Sequence, residues 1–363
     1  MKKIDSYILK KYMSTFFFCL ILLTAIVVVV DISEHTDDFV KSKLSAWQIV
    51  TEYYFGFIPR IDAMLFPLFT FISVIFFTSK MAGRSEIVAI LSSGVSFQRF
   101  LLPFIMGGLF LSTLLWAGYQ YVVPKANRIW GDFEKNYVDI NKGSRPNHTY
   151  RQNIYFRIDS KTYAGIKGYD TISKSGNNIF IQEFKDNRLV YNLRAASFRW
   201  DTATQKWSMS NVVERLIKDK SETVNIFPSR MMNYNFKPIQ LRTDEYLKDQ
   251  MTTTELNEFI KLEKQRGSEG ISALEVEKYN RDAIPASVLI LTLIGAVLAS
   301  RKVRGGSGAH LAIGVVISMV YVLFSRLSVV FATKGDFPAW LAAWMPNILF
   351  GILAFYLYRR APK

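Results

Sequence analysis

Two arginines and an aspartate interrupt otherwise apolar stretches of this chain, and they are the residues there with chemistry to offer. Arg60 follows Pro59, Asp62 comes two residues later, and Arg326 stands far downstream in the run Leu311 to Thr333. An arginine at the centre of a bilayer costs about 2.5–3.5 kcal/mol on insertion scales, so a chain that keeps one usually uses it. Arg60 lies seven residues past Tyr53, and Arg326 lies seven before Thr333. At ~1.5 Å per helical residue, both fall roughly 10 Å inside one membrane face. Guanidinium grips phosphate through two parallel N–H donors, so the pair suits a phosphorylated lipid, with Asp62 as their neighbour. The competing reading is an Asp62–Arg326 ion pair that only fixes helix packing. Residues two apart on a helix do not face each other, so Arg60 and Asp62 each need a partner elsewhere.

The second group with chemistry to offer is the segment Gly83-Arg-Ser-Glu-Ile-Val-Ala-Ile-Leu-Ser-Ser-Gly94. Ser85 to Leu91 can form a short helix between the two glycines, with Ile87, Val88, Ile90 and Leu91 as its apolar residues. Two readings stay open. The helix lies passively at a membrane surface, or it docks into a soluble partner and offers Glu86, with Arg84 beside it, to a basic groove.

Catalytic signatures are missing. There is no Walker A pattern and no His-Glu-x-x-His, and the three histidines, His35, His148 and His310, lie far apart. No enzyme activity, cofactor or metal is expected within this chain. Gly305-Gly306-Ser307-Gly308 matches the G-x-S-G of intramembrane serine proteases, but His310 lies two residues beyond the motif instead of on a facing helix. A basic surface turn is the better reading. Asp31 and Asp62 sit at span edges, which counts against an intramembrane aspartyl pair.

The elements that must position these residues follow from hydropathy. A bilayer core about 30 Å thick needs roughly 20 apolar residues to be crossed as a helix. No charge interrupts Tyr12 to Val30, Phe100 to Pro124, Ala283 to Ser300 or Phe337 to Tyr358; Tyr53 to Ser79 and Leu311 to Thr333 carry the charges above. Six spans, three before and three after a polar insert, define a membrane α-helical bundle. Hydrophobic residues make up 50% of the chain and charged ones 21%, which fits such a hybrid. The net charge of +15 raises the question of nucleic acid. The membrane-proximal bases, however, cluster at span ends, where topology requires them, so no nucleic-acid partner is expected.

Those bases also orient the bundle. Lys2, Lys3, Lys10 and Lys11 precede the first span, Lys80, Arg84 and Arg99 follow the second, Arg301, Lys302 and Arg304 follow the fourth, and Arg359, Arg360 and Lys363 close the chain. The intervening loops are poorer: Asp31 to Glu52 holds only Lys41 and Lys43 against five acids. Both termini are therefore expected in the cytoplasm and the insert outside. The one cysteine, Cys19, falls within the first span, so the insert folds without a disulfide. The first span is too long for a signal peptide and lacks a cleavage site, so it is expected to stay.

Within the insert the period shifts to two. Strands are expected at Asn153–Ile158, Lys161–Ile166, Asn178–Phe184, from Arg188 through Trp200, and at Trp207–Leu216, with a hairpin turn at Asp201-Thr-Ala-Thr-Gln-Lys206. Short strands at this spacing suggest a sandwich or jelly roll. Thr252-Thr-Thr-Glu255 is a capping box opening a striped helix that ends near Gly267, and a second helix, Ile271 to Arg281, runs toward a bend at Pro285. The expected layout is spans one to three over 1–125, an all-β domain over 126–250, a helical connector over 251–282 and spans four to six over 283–363.

The segment Gly83 to Gly94 resembles the coupling-helix motif of the LptF/LptG (YjgP/YjgQ) lipopolysaccharide export permeases. The likeness continues through Asp5-Ser-Tyr-Ile8, Pro59-Arg60, Phe66-Pro67, Asp186-Asn-Arg-Leu189, Ala195-Ala196, Lys206-Trp207, Leu256-Asn-Glu-Phe-Ile-Lys and Pro285. It implies a Gram-negative inner-membrane half-transporter with six spans and a periplasmic β-jelly roll between spans three and four. It implies as partners a second, paralogous six-span permease, a cytoplasmic ABC ATPase dimer, lipopolysaccharide as cargo, and periplasmic bridge proteins of the LptC/LptA kind. By the same resemblance Glu86, Arg84, Ile87 and Ile90 would couple to the ATPase, Arg60 would fall on a basic cavity position, and spans one and five would line the lateral gate. Some members carry a lysine where this chain has Asp31.

The residues read alone lead the same way. Each lipid CH₂ left in water costs about 0.8 kcal/mol, so lifting a multi-acyl lipid from a bilayer requires covered chains and an energy source. Without a nucleotide motif, that source lies in a partner. An envelope scaffold, whose β-domain docks partners and whose spans only anchor it, is the alternative; it would need neither embedded arginines nor an apolar-faced helix at the cytoplasmic side.

Overall fold

The computed structural model describes residues 3–138, 150–186, 188–218, 221–241, 247–266, 270–301, 307–335 and 337–361. Gly305 and Gly306 of the G-x-S-G match, His148, Gly267, Asn187 and the terminal and loop bases Lys2, Lys302, Arg304 and Lys363 fall outside these residues. Two compact units emerge: a bundle formed up to Gly131 and again from Ser272, and a unit covering Asp132–Ile271.

Six helices among the described residues are long and apolar enough to cross a membrane: span 1 (Lys3–Ser42), span 2 (Ala46–Gly83), span 3 (Phe97–Val138), span 4 (Ile271–Ala299), span 5 (Gly308–Lys334) and span 6 (Ala339–Arg359). Span 1 overruns its apolar stretch, continuing helically past Val30 to Ser42. Hydropathy marks where a helix leaves the hydrocarbon, whereas backbone hydrogen bonding continues until a capping signal interrupts it. Ser45 supplies that signal for the next helix by a capping box with Gln48. Likewise, Ile271 to Arg281 is the first part of span 4, continuous through Pro285. Near this proline the carbonyl of Ala283 accepts from Asn347 Nδ2 (2.6 Å) and that of Pro285 from Ser112 Oγ (2.7 Å). Side chains of neighbouring spans thus bond backbone in the stretch that a proline loosens.

Spans approach closely where side chains are small. A Cβ added at Gly107 would meet the Tyr12 ring at 2.6 Å, and one at Gly314 would meet Ile75 at 2.3 Å. Tyr12, fully buried, closes the packing with a 3.1 Å hydrogen bond to Thr292 of span 4.

The other unit holds an all-β domain. Strands β1 (Tyr150–Arg157), β2 (Thr162–Asp170), β3 (Ser175–Lys185), β4 (Arg188–Asp201), β5 (Lys206–Lys218) and β6 (Ser221–Met232) form one antiparallel sheet in sequence order. The all-β insert read from the sequence is present, and among the described residues its strands run as a six-stranded antiparallel meander. One face carries Ile166, Ile181, Leu193, Phe198, Trp207 and Met209, and Phe236 beyond β6 packs against them. Asp201 caps the β4–β5 turn, accepting from the Thr204 hydroxyl and the Ala203 N–H, and these bonds hold its carboxyl below the usual range. Glu214, nearly buried on β5, accepts from Tyr191 (2.9 Å) and Arg230 (2.8 Å); burial pushes the Tyr191 hydroxyl up.

Strand β6 was not read from the sequence. Pro228 lies within it, a residue that argues against an interior strand, and its side chains are mostly exposed, so the period-two signal is weak. It forms an edge of the sheet, the position that tolerates proline. The capping box behaves as read: Thr252 N–H donates to Glu255 Oε2 (2.8 Å), Glu255 N–H donates to Thr252 Oγ1 (3.3 Å), and the helix Thr253–Arg266 follows.

Candidate lipid and partner sites

The bundle gathers its functional candidates at two ends. At the end away from the termini, span 2 opens with a π-helical turn, Val50–Tyr54. This wider turn reduces the angle between successive side chains and lets Tyr53 and Tyr54 reach one acceptor. Both hydroxyls donate to Asp31 of span 1, at 3.0 Å each, and His35 lies 3.3 Å from the same carboxylate. Asp31 is buried. Its charge is turned into the protein as a clasp between spans 1 and 2, not offered to a cavity.

One turn further along, Gly56 lets span 2 press against the extension of span 3. A Cβ there would lie 2.5 Å from the Trp130 nitrogen and 2.6 Å from the Ala126 oxygen, both backbone atoms. That approach carries the Trp130 ring over Arg60, whose guanidinium carbon sits 3.7 Å from the ring centroid. Such a cation–π contact contributes about 0.5–2 kcal/mol and uses the flat face of the guanidinium. The in-plane donors stay available for a bidentate acceptor.

Arg326 is exposed on span 5 and reaches span 2, where one Nη lies 3.6 Å from the Met64 sulfur. Met64 is four residues beyond Arg60, hence about 6 Å along the same helix face. Asp62 takes a different partner, accepting from Thr24 of span 1 at 2.6 Å. The Asp62–Arg326 packing pair considered above does not form. Two other arginines of the bundle are neutralised: Arg99 pairs with Asp5, and buried Arg281 pairs with Glu277 at 3.3 Å. Arg60 and Arg326 have no carboxylate partner among the described residues.

At the terminus-bearing end, the segment between spans 2 and 3 forms the helix Glu86–Ser92. Ser85 enters it with φ +60° and Gly94 leaves it with φ +87°, so both ends turn through left-handed backbone. Ile87 is 2% exposed and, with the partly buried Ile90, packs into the bundle core. Val88 and Ala89 face outward. Arg84 Nη1 lies 3.9 Å from Glu86 Oε1, and the other Glu86 oxygen accepts from Tyr7 of span 1 at 3.1 Å.

Sequence reading singled out Arg60, Asp62, Arg326 and the short helix, but missed the side chains that hold them: Trp130, Met64 and Tyr7. Of these, only Tyr7 carried a signal, since it lies inside Asp5-Ser-Tyr-Ile8. Trp130 and Met64 meet the arginines only through tertiary packing. No metal-binding cluster of His, Cys, Asp and Glu occurs among the described residues.

No curated protein matches the chain. Residues 6–360, however, match the family model described as lipopolysaccharide export system permease LptF/LptG. Six membrane-spanning helices interrupted by a β-domain are what that match accompanies, nearly end to end. The chain belongs to the LptF/LptG family of lipopolysaccharide export permeases.

Proposed function

We propose that this multi-pass permease is one half of an ATP-driven exporter that takes lipopolysaccharide from the outer leaflet of the inner membrane and passes it to a periplasmic bridge. The contrast among its arginines carries this reading. Arg99 and Arg281 have carboxylates, whereas Arg60 and Arg326 rest on an indole face and a thioether. Neutral partners hold a cation in place without satisfying its charge, which suits a ligand phosphate.

The least covered spans are consistent with it. Only 11% of the apolar window of span 1 and 22% of that of span 5 are buried, against 61% for spans 2 and 4. In this reading a second, paralogous permease faces spans 1 and 5 and closes a lipid cavity beside Arg60 and Arg326. The lysines and arginines at the terminus-bearing end support an orientation with both termini in the cytoplasm and the β-domain in the periplasm. In this reading the β-domain receives the lipid on its way to the periplasmic bridge.

Energy enters at the opposite end. A cytoplasmic ABC ATPase dimer grips the helix Glu86–Ser92 by its outward residues, with Glu86 and Arg84 at the start and Ile87 and Ile90 fixing it to the bundle. Tyr7 links Glu86 to span 1, so movement of the helix is passed to a span facing the cavity. The test is purification of the tagged chain from native membranes in mild detergent. Wild type should retain a stoichiometric ATPase. Glu86→Arg should lower that retention about 10- to 100-fold, the scale of a lost charge-assisted hydrogen bond. Undiminished retention by a folded Glu86→Arg chain would remove this helix from the interface.

A further inference from the structure

A recess on the bundle, whose lining includes neither Arg60 nor Arg326 nor any residue of the short helix, has no role in export as described above. It opens between spans 3, 4 and 6 and encloses about 460 Å³. Its walls run from Gln98 to Ile105, from Ile290 to Val297, and from Gly351 to Tyr358. Each wall covers seven residue steps, so the recess follows two helical turns, about 10 Å, into the membrane. All three walls end at the terminus-bearing side: Gln98 lies in the first turn of span 3, while Val297 and Tyr358 lie in the last turns of spans 4 and 6. The lining is apolar except for Gln98 and Tyr358, which occupy that end.

Gly351 opens onto the hollow. A Cβ at Gly351 would meet nothing within 4 Å. Beside the mouth, the Arg359 guanidinium lies 5.1 Å from the centroid of Phe355, a lining residue. Arg301 donates to the backbone oxygen of Arg360, whose own guanidinium lies over the ring of Tyr356. No acid occurs in residues 97–105, 290–301 or 351–361. The volume falls in the roughly 300–1,000 Å³ range of small-ligand sites. An apolar hollow of this kind does not hold water well, so hydrocarbon is its natural filling. Basic sites between membrane helices attract anionic head groups.

We propose that this recess is a resident site for an anionic glycerophospholipid of the leaflet on the terminus-bearing side, with one acyl chain in the hollow and its phosphate on Arg359. The assignment is independent of which lipid the bundle exports. Native mass spectrometry of the purified full chain, delipidated and then exposed to phosphatidylglycerol or phosphatidylcholine, tests it. Wild type should keep one phosphatidylglycerol and little phosphatidylcholine. Gly351→Leu places a side chain in the hollow and should lower retention of phosphatidylglycerol about ten-fold, with an unchanged melting temperature in lipid-free detergent. Arg359→Gln should keep a lipid but retain both head groups alike, since the charge-assisted contact is what selects. Equal retention by wild type and Gly351→Leu would overturn the site, and so would a wild type blind to head group. Loss of lipopolysaccharide instead of phospholipid from Gly351→Leu would also overturn it, and the masses distinguish the two.

Discussion

Trp207→Ala should be the most destabilising single change in the β-domain, by about 3–5 kcal/mol. Trp207 is fully buried at the start of β5. Its ring stacks on Phe236 at 5.0 Å, meets Trp200 edge-on at 5.0 Å and tilts against Phe198 at 5.4 Å. Its Nε1–H donates to the Phe236 carbonyl at 2.9 Å, which ties the segment after β6 onto the sheet. Alanine would empty the centre of this cluster and leave that buried carbonyl without a donor. Trp207→Phe keeps much of the packing and loses the hydrogen bond, so it should cost about 1–3 kcal/mol. Hydrogen exchange on the full-length protein provides the measurement. Amides of β3 to β5 should lose protection in the order wild type, Phe, Ala, while the spans stay protected. An alanine variant with native exchange in β4 and β5 would show that the core lies elsewhere.

Gly56→Leu should be the most damaging change in the bundle outside its charged groups. The obstacles are the Trp130 nitrogen and the Ala126 oxygen, and backbone cannot rotate away as a side chain can. Span 2 and the extension of span 3 would have to separate, at a cost of about 3 kcal/mol or more, the upper part of the overpacking range. The separation also lifts Trp130 from Arg60, so lipopolysaccharide binding should fall together with the melting temperature. Gly118→Ala is the control. Gly118 lies on span 3 with open space around it, and the melting temperature of this variant should hold or rise slightly. Equal melting temperatures for Gly56→Leu and Gly118→Ala would contradict the close approach described here.

Much of the architecture was legible in the sequence because the bilayer leaves few choices. A long uncharged run must be a helix, and a period-two segment between such runs must pair elsewhere. The five strands read from Asn153 to Leu216 all belong to the sheet, and the capping box at Thr252 starts a helix as expected. What escaped was β6, where Pro228 and exposure blur the alternation, and the overrun of span 1, because hydropathy does not register where hydrogen bonding stops. The candidate site was legible in its charges and not in its geometry. Arg60 and Arg326 announce themselves by the cost of placing them in a membrane. That Arg60 stacks on Trp130, that Arg326 meets Met64, and that Asp62 turns to Thr24 depend on how spans rotate against one another. Asp31 shows the same limit, since its tyrosine partners stand 22 and 23 residues away and converge only through a π-helical turn.

The central claim is that this permease moves lipopolysaccharide with energy supplied from outside its own chain. The direct measurement is ATP-driven release of labelled lipopolysaccharide from proteoliposomes that hold the permease with whatever copurifies from its native membranes, scored by capture on a soluble acceptor. The account expects release that requires ATP. It also expects at least a ten-fold lower rate for the double variant Arg60→Gln, Arg326→Gln, with the assembly still intact, as the loss of two phosphate-binding donors implies. Release by the double variant at the wild-type rate would detach the arginines from the lipid path. No release from a wild-type preparation that carries no ATPase would contradict the exporter reading and leave the bundle as a membrane anchor for its β-domain.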